Sequence, residues 1–433
     1  MTPDDLRALL TRAASEHRVP GAQLAVRVGG VTTAVEVGER RHGTGDPVTA
    51  GCAFPLGSLT KPFTATLAMV LVADGDVDPD APLGEYLPHP VPPITLRQVL
   101  SHTSGLASAV PEATTTTTDP GRWVRDHCPP GSPVHPSGTV FSYSNVGYLL
   151  AGYLVEAVTG MGWAEAVRSI LLEPLGITPS FVVGAPTGRP HLAGHSARRD
   201  TGRVVPIREQ DLPVVEAAAG ALALSAADLV TFARLHLGDP DLPRLLDDDV
   251  LREMRVDHAP AGPFGLADGW GLGWSVHRWA RRDWHGHDGT GSGTSCHLRF
   301  AADSGEVVAF TSNAGTGPAL WEDVVTGLRA LGVAVGGGYP TPAEPRSPVP
   351  APPACAGRFT NGDTEFTFAP HDGGLGLSVD GEPYADLSFV DDLRFTLREP
   401  DGGTVHTGRF LRGGSDGDVD GVQLVGRLAK RSE

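Results

Sequence analysis

A run of prolines divides this chain into two unlike parts. Proline fixes the backbone angle φ and has no N–H to donate, so a dense run fits neither a helix nor a central strand. The run predicts a semi-rigid linker over residues 338–353, between a large domain over 1–337 and a small domain over 354–433. Its prolines are Pro340, Pro342, Pro345, Pro348, Pro350, Pro352 and Pro353.

The large part has strand patterns at both of its ends and helical patterns between them. Strands 22–28 and 31–37 alternate apolar and polar residues around Gly29-Gly30, which indicates a hairpin. Further strands are predicted over 272–276, 297–301 and 306–312. Helices are predicted over 2–17, 58–73, 95–101, 146–158, 225–237 and 319–331. This order favours an α+β fold with one antiparallel sheet, closed by the two ends of the domain and flanked by a helical region.

Beyond the linker the pattern changes to short alternating runs separated by turn signals. Asp380-Gly381 and Asp401-Gly402 are two such turn pairs. About eighty residues with this spacing predict a small antiparallel barrel or sandwich.

Composition narrows the function classes. The net charge of −17, from 34 basic and 51 acidic residues, opposes binding to nucleic acid. Asp4 and Asp5 stand where a signal peptide would be positive, so we expect a cytoplasmic protein that is neither exported nor membrane-bound. The four widely spaced cysteines are expected to be free thiols. Lys61 and Lys430 are the only lysines among 34 basic residues, which marks each as a candidate for chemistry that arginine cannot perform.

Ser58 and Lys61 lie three residues apart at the start of a predicted helix, so their side chains share one face. A serine hydroxyl becomes a nucleophile when a nearby base removes its proton, and a lysine desolvated in a cleft can be that base. The alternative is a capped helix with an ordinary surface lysine.

Two later motifs carry compatible chemistry. Tyr143 and Asn145 stand at the mouth of the helix over 146–158, where a phenol can relay a proton and an amide can hold Lys61 and a substrate carbonyl. The alternative is a helix-entry turn with a half-buried tyrosine. His287 and Gly289 lie in a glycine-rich segment just before the strand over 297–301. There Gly289 permits close approach of a substrate, and the backbone N–H of Thr290 is a candidate oxyanion donor.

The alternative for His287 is a histidine of a glycine-rich turn, with His285 as its nearest competitor.

In this order the SxxK, YxN and HxG motifs resemble the serine β-lactamase and penicillin-binding-protein superfamily, in its class-C-like esterase and peptidase branch. The segments 100–106 and 271–274 are similar to landmarks of that family. The resemblance implies that Ser58 is acylated, that Lys61 is its proton partner and that Tyr143 relays protons. It also implies that Asn145 contacts substrate and that the N–H groups of Ser58 and Thr290 form the oxyanion hole. His287 stands where β-lactamases have a lysine that attracts a carboxylate, which favours esters, thioesters or peptides over β-lactams.

Within the superfamily, segments 54–88 and 285–300 resemble the penicillin-binding-protein-type thioesterases, stand-alone cyclases of nonribosomal peptide pathways with a C-terminal lipocalin-like domain. The resemblance implies that Ser58 takes a peptidyl group from a peptidyl carrier protein thioester, commonly at a D-configured C-terminal residue. The N-terminal amine of the peptide then releases it as a macrolactam. No cofactor or metal is implied. The alternative is a cytosolic serine esterase or D-stereospecific peptidase or amidase, which would use the same residues.

The same resemblance suggests that the last strand of the small domain borders the cleft. Arg427 is predicted on a strand face with Gln423 and Val425, opposite Val422, where its guanidinium can orient carbonyl groups of the incoming residue. The alternative is a solvated surface arginine.

Overall fold

The computed structural model describes residues 1–183, 189–197, 201–207, 212–338, 349–371, 374–398, 405–413 and 418–432. The large N-terminal part folds around an antiparallel sheet. The strands of this part are β1 (Gly21–Val28), β2 (Val31–Gly38), β3 (Phe54–Pro55), β4 (Ser180–Phe181), β5 (His195–Ala197), β6 (Val204–Pro206), β7 (Leu222–Leu224), β8 (Gly269–Trp270), β9 (Ser275–Trp279), β10 (Arg282–Gly291), β11 (Thr294–Ala301) and β12 (Glu306–Ser312). The main sheet has the order β2-β1-β12-β11-β10-β9-β8, so β1 and β12 join the two ends of the domain as predicted.

Helices cover both faces of this sheet. They are α1 (Pro3–Glu16), α2 (Lys61–Ala73), α3 (Leu96–Leu100), α4 (Pro120–His127), α5 (Asn145–Thr159), α6 (Trp163–Ala166), α7 (Ala217–Gly220), α8 (Ala226–His236), α9 (Asp248–Glu253) and α10 (Gly317–Ala330). Strand residues alternate between the faces. In β12, Val307 and Ala309 belong to the core formed with α2, α5 and α8, whereas Val308 and Phe310 belong to the core under α1 and α10. The apolar alternation in β12 therefore holds two helical layers on one sheet.

The C-terminal part is a closed antiparallel barrel, which confirms the expected lipocalin-like all-β domain. Its strands are β13 (Gly357–Asn361), β14 (Thr364–His371), β15 (Gly374–Val379), β16 (Glu382–Phe389), β17 (Arg394–Arg398), β18 (Val405–Gly413), β19 (Asp418–Leu424) and β20 (Arg427–Arg431). Pairing of β13 with β20, at Phe359 with Arg431, closes the barrel. Asp380 and Gly381 form a turn with positive φ at both residues. The pair Asp401-Gly402 and residues 339–348 of the predicted linker lie outside the described residues, and the domain boundaries stay a prediction.

Hydrogen bonds join the barrel to the first part of the chain. The side chain of Asn361 accepts from the backbone N–H of Ser108 at 2.7 Å and donates to the Leu428 carbonyl at 2.6 Å. The His135 ring contacts the same carbonyl at 2.7 Å through Nε2. These contacts fix the last hairpin of the barrel, formed by β19 and β20, against the segment that leads into α5.

One strand prediction needs correction. The predicted strand over 272–276 is wrong in its first half, because the N–H of Gly271 bonds to the Trp274 carbonyl and Gly273 has φ +87°, so the chain turns before β9. The alternative for His287, a histidine of a glycine-rich turn, is also not what the structure has, because residues 282–291 form β10, paired with β9 and β11. Tertiary pairing here overrides the low strand propensity of glycine.

The four cysteines are free thiols, as expected, and all are buried. Among the described helices, none combines the length and the apolar character that a membrane span requires.

Candidate active site

The nucleophile candidate lies on a one-turn 3-10 helix, Gly57–Thr60, that leads directly into α2. Gly57 has φ +53°, and a Cβ at this position would clash with the Thr290 carbonyl of β10. Glycine here therefore lets β10 approach the turn that carries Ser58. Lys61 Nζ donates hydrogen bonds to Ser58 Oγ and to the Ala219 carbonyl, both at 3.0 Å. The side chains of Ser58 and Lys61 therefore lie on one face, as predicted.

Lys61 is fully buried although it is a lysine. Burial and, to a lesser extent, the positive charge of Arg427 lower the pKa of Lys61 to about 7 against the opposing effect of the Glu216 carboxylate. A large fraction of Lys61 is therefore neutral near neutral pH. A neutral amine 3.0 Å from a hydroxyl can accept its proton.

Tyr143 stands beside this pair, in the segment just before α5, and is 5% exposed. Lys61 Nζ lies 5.1 Å from the centroid of its ring. Burial raises the pKa of Tyr143 to about 12, while hydrogen bonding to Ser58 and the charge of Arg427 act in the opposite direction. The phenol consequently keeps its proton at neutral pH. Between the two groups, Lys61 is suited to accept a proton and Tyr143 to donate one.

The backbone around Tyr143 is held from two sides. His102 accepts a 3.0 Å hydrogen bond from the Ser144 N–H through Nδ1, and its carbonyl accepts from the Ser142 N–H at 2.9 Å. From the barrel, the Gly426 carbonyl accepts from the Tyr143 N–H at 2.9 Å. In the sequence, segment 100–106, which contains His102, is only similar to a landmark of the family. The hydrogen bonds that hold the backbone around Tyr143 were not predicted from it.

Asn145 begins α5 and lines the cavity next to Ser58. Its Oδ1 is buried and has no hydrogen-bond partner among the described residues. The expected contact with Lys61 is not among the described hydrogen bonds, in which Lys61 Nζ donates to Ser58 and to Ala219. The Oδ1 atom of Asn145 is thus available to a substrate donor.

The HxG segment lies within β10. A Cβ on Gly289 would clash with the Leu56 carbonyl, so glycine is required where the strand meets the 3-10 turn. Thr290, the next residue, lines the cavity together with Ser58. This placement brings together the two residues whose N–H groups are the expected oxyanion donors.

His287 is buried beside Tyr143 and Trp270, with ring centroids 6.2 and 5.4 Å away. Its Nδ1 lies 2.6 Å from the Asp288 carbonyl and therefore carries the proton. Burial and, to a lesser extent, the charge of Lys61 lower the pKa of His287 to about 3. The ring is neutral and cannot attract a carboxylate as a lysine would. His285 instead packs on Phe300, away from Tyr143.

An ion-pair network that the sequence analysis missed supports this strand from behind. Asp288 accepts hydrogen bonds from Arg299 at 2.7 and 2.9 Å and contacts His297 at 2.7 Å. Burial raises the pKa of Asp288, but the charges of Arg299 and His297 outweigh it and hold the pKa well below its usual range. The carboxylate fixes β10 between His287 and Gly289.

A cavity of about 160 Å³ lies at this site. Ser58, Lys61, Asn145 and Thr290, all predicted from sequence, are in its lining. Glu216 is also in the lining, and no motif in the sequence pointed to it.

Arg427 lies over the Tyr143 ring, with its guanidinium carbon 5.0 Å from the ring centroid, and is half-buried. The prediction that it shares a strand with Val422 is wrong, because the chain turns at Val425 and Gly426, with φ +48° and +70°. Arg427 therefore begins the next strand, β20. The last strand, β20, nevertheless lies beside the catalytic residues, as expected.

Comparisons with known proteins agree with this geometry. A family model described as "Beta-lactamase" matches residues 6–326. "Penicillin-binding protein 4" of Amycolatopsis lactamdurans is 34% identical over 355 residues, which cover 77% of this chain and 91% of that protein.

Two solved structures are similar over almost the whole length, including the barrel. They are described as "Crystal structure of SurE" and "Crystal structure of SurE with D-Leu", with TM-scores of 0.85 and 0.83. Each is 38% identical, and each match covers 99% of both chains. With the Ser58–Lys61 pair in a buried site at the sheet, this chain belongs to the β-lactamase family, among the serine hydrolases that resemble penicillin-binding proteins.

Proposed function

We propose that this chain is a cytoplasmic peptide cyclase, which takes a peptidyl group from a carrier-protein thioester on Ser58 and releases it as a head-to-tail macrolactam. The proposal rests mainly on Arg427, a residue of the barrel that lies 5.0 Å from the ring of Tyr143. Hydrolysis by Ser58 and Lys61 does not require a second domain at this position. A cyclase does require groups that bind the second end of its substrate.

In the first step of the proposed reaction, neutral Lys61 takes the proton of Ser58 as Oγ bonds to the thioester carbonyl carbon. The N–H groups of Ser58 and Thr290 stabilise the oxyanion. The carbon–sulfur bond then breaks, Tyr143 donates its proton to the leaving thiolate, and Lys61 returns a proton to Tyr143. The return of the proton from Lys61 to Tyr143 follows the pKa order, about 7 for Lys61 and about 12 for Tyr143.

In the second step the N-terminal amine of the peptide attacks the ester carbonyl. A carbon–nitrogen bond forms, the bond to Ser58 Oγ breaks, and a proton of the amine returns to Oγ through Lys61 and Tyr143. Asn145, whose Oδ1 faces no partner among the described residues, binds the backbone of the acyl donor. His287 packs beside Tyr143 as a neutral ring and restricts the orientation of the phenol.

The guanidinium of Arg427 acts in this second step. Its one described hydrogen bond is a long contact of 3.5 Å with the Val425 carbonyl, and no described carboxylate pairs with it. A planar donor of this kind can hold carbonyl groups of the residue that carries the amine. Arg427→Ala is therefore expected to lower the ratio of cyclic to hydrolysed product.

The configuration of the acyl donor is part of the proposal. One similar structure is described as SurE with D-Leu, which supports a D-configured residue at the C-terminus of the peptide. A cytosolic esterase or D-peptidase would form the same acyl-enzyme but release it with water.

The test uses two synthetic peptidyl thioesters that differ only in a D- or L-residue at the donor position, each with a free N-terminal amine. Products are separated and identified by mass spectrometry. The proposal predicts cyclic product in excess of linear acid, with the D-thioester as the better substrate. Linear acid alone, or equal rates on both thioesters, would support the hydrolase instead. Arg358→Ala, an exposed change on β13, is the matched control for Arg427→Ala.

A further inference from the structure

One charged residue in the cavity has no part in the chemistry described so far. Glu216 ends a 3-10 turn, Val214–Glu216, immediately before α7, the helix whose Ala219 carbonyl binds Lys61. Glu216 lines the cavity together with Ser58. Within the described part of the chain, no hydrogen bond or ion pair involves the Glu216 carboxylate, and it is half-buried.

A half-buried carboxylate without a partner destabilises the folded protein. Burial raises the pKa of Glu216, and only the charge of Lys61 opposes that rise. Partly buried charges are normally paired, because lost hydration otherwise destabilises them. Since Glu216 faces the cavity, the group that pairs with it is expected to arrive with the substrate and to be positively charged.

The other charges near Ser58 show why such a pairing is needed. Lys61 and Arg427 are both basic and act electrostatically on one another. An α-amino group has an ordinary pKa of about 7.7–8.0 and is mostly an ammonium ion at neutral pH. An ammonium that approaches the Ser58 ester is therefore repelled by Arg427 and by the protonated fraction of Lys61. It must also lose one proton before its nitrogen can attack.

We propose that Glu216 binds the ammonium group of the attacking amine beside the Ser58 ester and accepts the proton that this ammonium must lose. The proton moves from nitrogen to a carboxylate oxygen, and the neutral amine then attacks the ester carbonyl. The bond to Ser58 Oγ breaks, a second proton of the amine reaches Oγ, and Glu216 releases its proton to water. The raised pKa of Glu216 brings the carboxylate closer in basicity to the amine.

This inference rests on the proposed cyclase function and assigns its nucleophile-binding group. The ammonium has two chemical sources in a peptide, the N-terminal α-amine and a basic side chain of the donor residue. If Glu216 binds the α-amine, it acts after acylation. If it binds a basic side chain of the donor residue, it acts during acylation. We assign the α-amine, because the proposed second step brings this amine to the cavity.

The experiment compares two thioesters of one peptide, which end at the N-terminus in an α-amine or in an α-hydroxyl group. The hydroxyl carries no charge and has no excess proton to lose. For the amine substrate, Glu216→Gln should lower the ratio of cyclic to linear product about tenfold or more, the effect of one lost charged hydrogen bond. For the hydroxyl substrate the ratio of lactone to acid should change less than about twofold. Both products arise from one acyl-enzyme, so a change in acylation rate does not alter either ratio.

Glu216→Asp keeps the charge and should restore part of the ratio, whereas Glu165→Gln is the control at an exposed glutamate of α6. An equal loss on both substrates would make Glu216 a structural residue and overturn the inference. A third thioester with D-ornithine at the donor position tests the second source of ammonium. If Glu216→Gln slows only acylation by that thioester and leaves the ratio intact, the inference is also overturned.

The two proposals fail in different ways. If wild-type enzyme releases only linear acid from the amine substrate, the cyclase function fails. If wild-type enzyme cyclises and Glu216→Gln cyclises equally well, only the role of Glu216 fails.

Discussion

The backbone N–H of Tyr143 donates a 2.9 Å hydrogen bond to the carbonyl of Gly426, at the tip of the last barrel hairpin. The same Gly426 donates its own N–H to the Phe264 carbonyl at 2.9 Å. A residue of the catalytic centre and a turn of the C-terminal barrel are therefore parts of one hydrogen-bonded structure. The barrel supports the position of Tyr143 and also supplies Arg427 to the same ring.

Distortion of this turn should slow acylation. Gly426 has φ +70°, and a Cβ there would lie 2.8 Å from the Leu266 side chain. Gly426→Ala is expected to shift the carbonyl that holds Tyr143 and to slow Ser58 acylation by about tenfold to a hundredfold. Gly381→Ala is the matched control, with φ +85° and open space around its Cβ. Quenched-flow assays measure the rate of Ser58 acylation in both variants. Equal rates would contradict the coupling between this turn and Tyr143.

Lys61→Arg tests the base. Arginine keeps the positive charge but does not lose its proton, so acylation should fall at least about a hundredfold. Lys430→Arg changes the other lysine of the chain, at an exposed position of β20, and should retain the wild-type rate. An acylation rate near wild type in Lys61→Arg would mean that Lys61 acts only through its charge.

The acylation rate should depend on pH through Lys61. Below about pH 7 the residue is an ammonium and cannot accept the Ser58 proton, so the rate should rise with pH through a midpoint near 7. Arg427→Ala removes a cation that lowers this pKa and should move the midpoint upward, whereas Arg358→Ala should leave it in place. A flat profile between pH 5 and 9, endpoints about two units from the midpoint, would rule out Lys61 as the titrating base.

His102 should act as a positioning residue for Tyr143. It has φ +57° and accepts from the Ser144 N–H through Nδ1. His102→Leu leaves that N–H buried without a partner, which should lower the free energy of unfolding by about 1–3 kcal/mol. The His102→Leu variant should also lower kcat more than it raises KM. His102→Asn offers an acceptor oxygen and tolerates positive φ, so it should recover most of kcat. If His102→Asn is as slow as His102→Leu, the hydrogen bond from the Ser144 N–H is not what positions Tyr143.

The parts of the site that sequence predicted are the local ones. Ser58 and Lys61 are one helical turn apart, and Tyr143 and Asn145 flank one helix start, so short-range geometry determines each pair. The same holds for the hairpin of β1 and β2, whose turn residues are both glycines with positive φ.

The parts that sequence did not predict depend on distant contacts. Glu216 belongs to no motif and reaches the cavity only because its short turn packs beside α5. The segment of β10 contains glycines that suggest a turn, yet Gly289 is there because the Leu56 carbonyl lies against it. The face of Arg427 was assigned wrongly because alternation was extended across Val425, where positive φ ends β19.

A single-turnover experiment tests the central claim most directly. Wild-type enzyme is mixed with an equimolar peptidyl thioester that has a D-residue at its C-terminus and a free N-terminal amine, and quenched samples are measured by intact-protein and peptide mass spectrometry. The account predicts an acyl adduct on the peptide that contains Ser58, which decays with the same rate constant as cyclic peptide appears, and no adduct in Ser58→Ala. An unmodified Ser58 in the wild-type enzyme, or an adduct that decays only to linear acid, would contradict it.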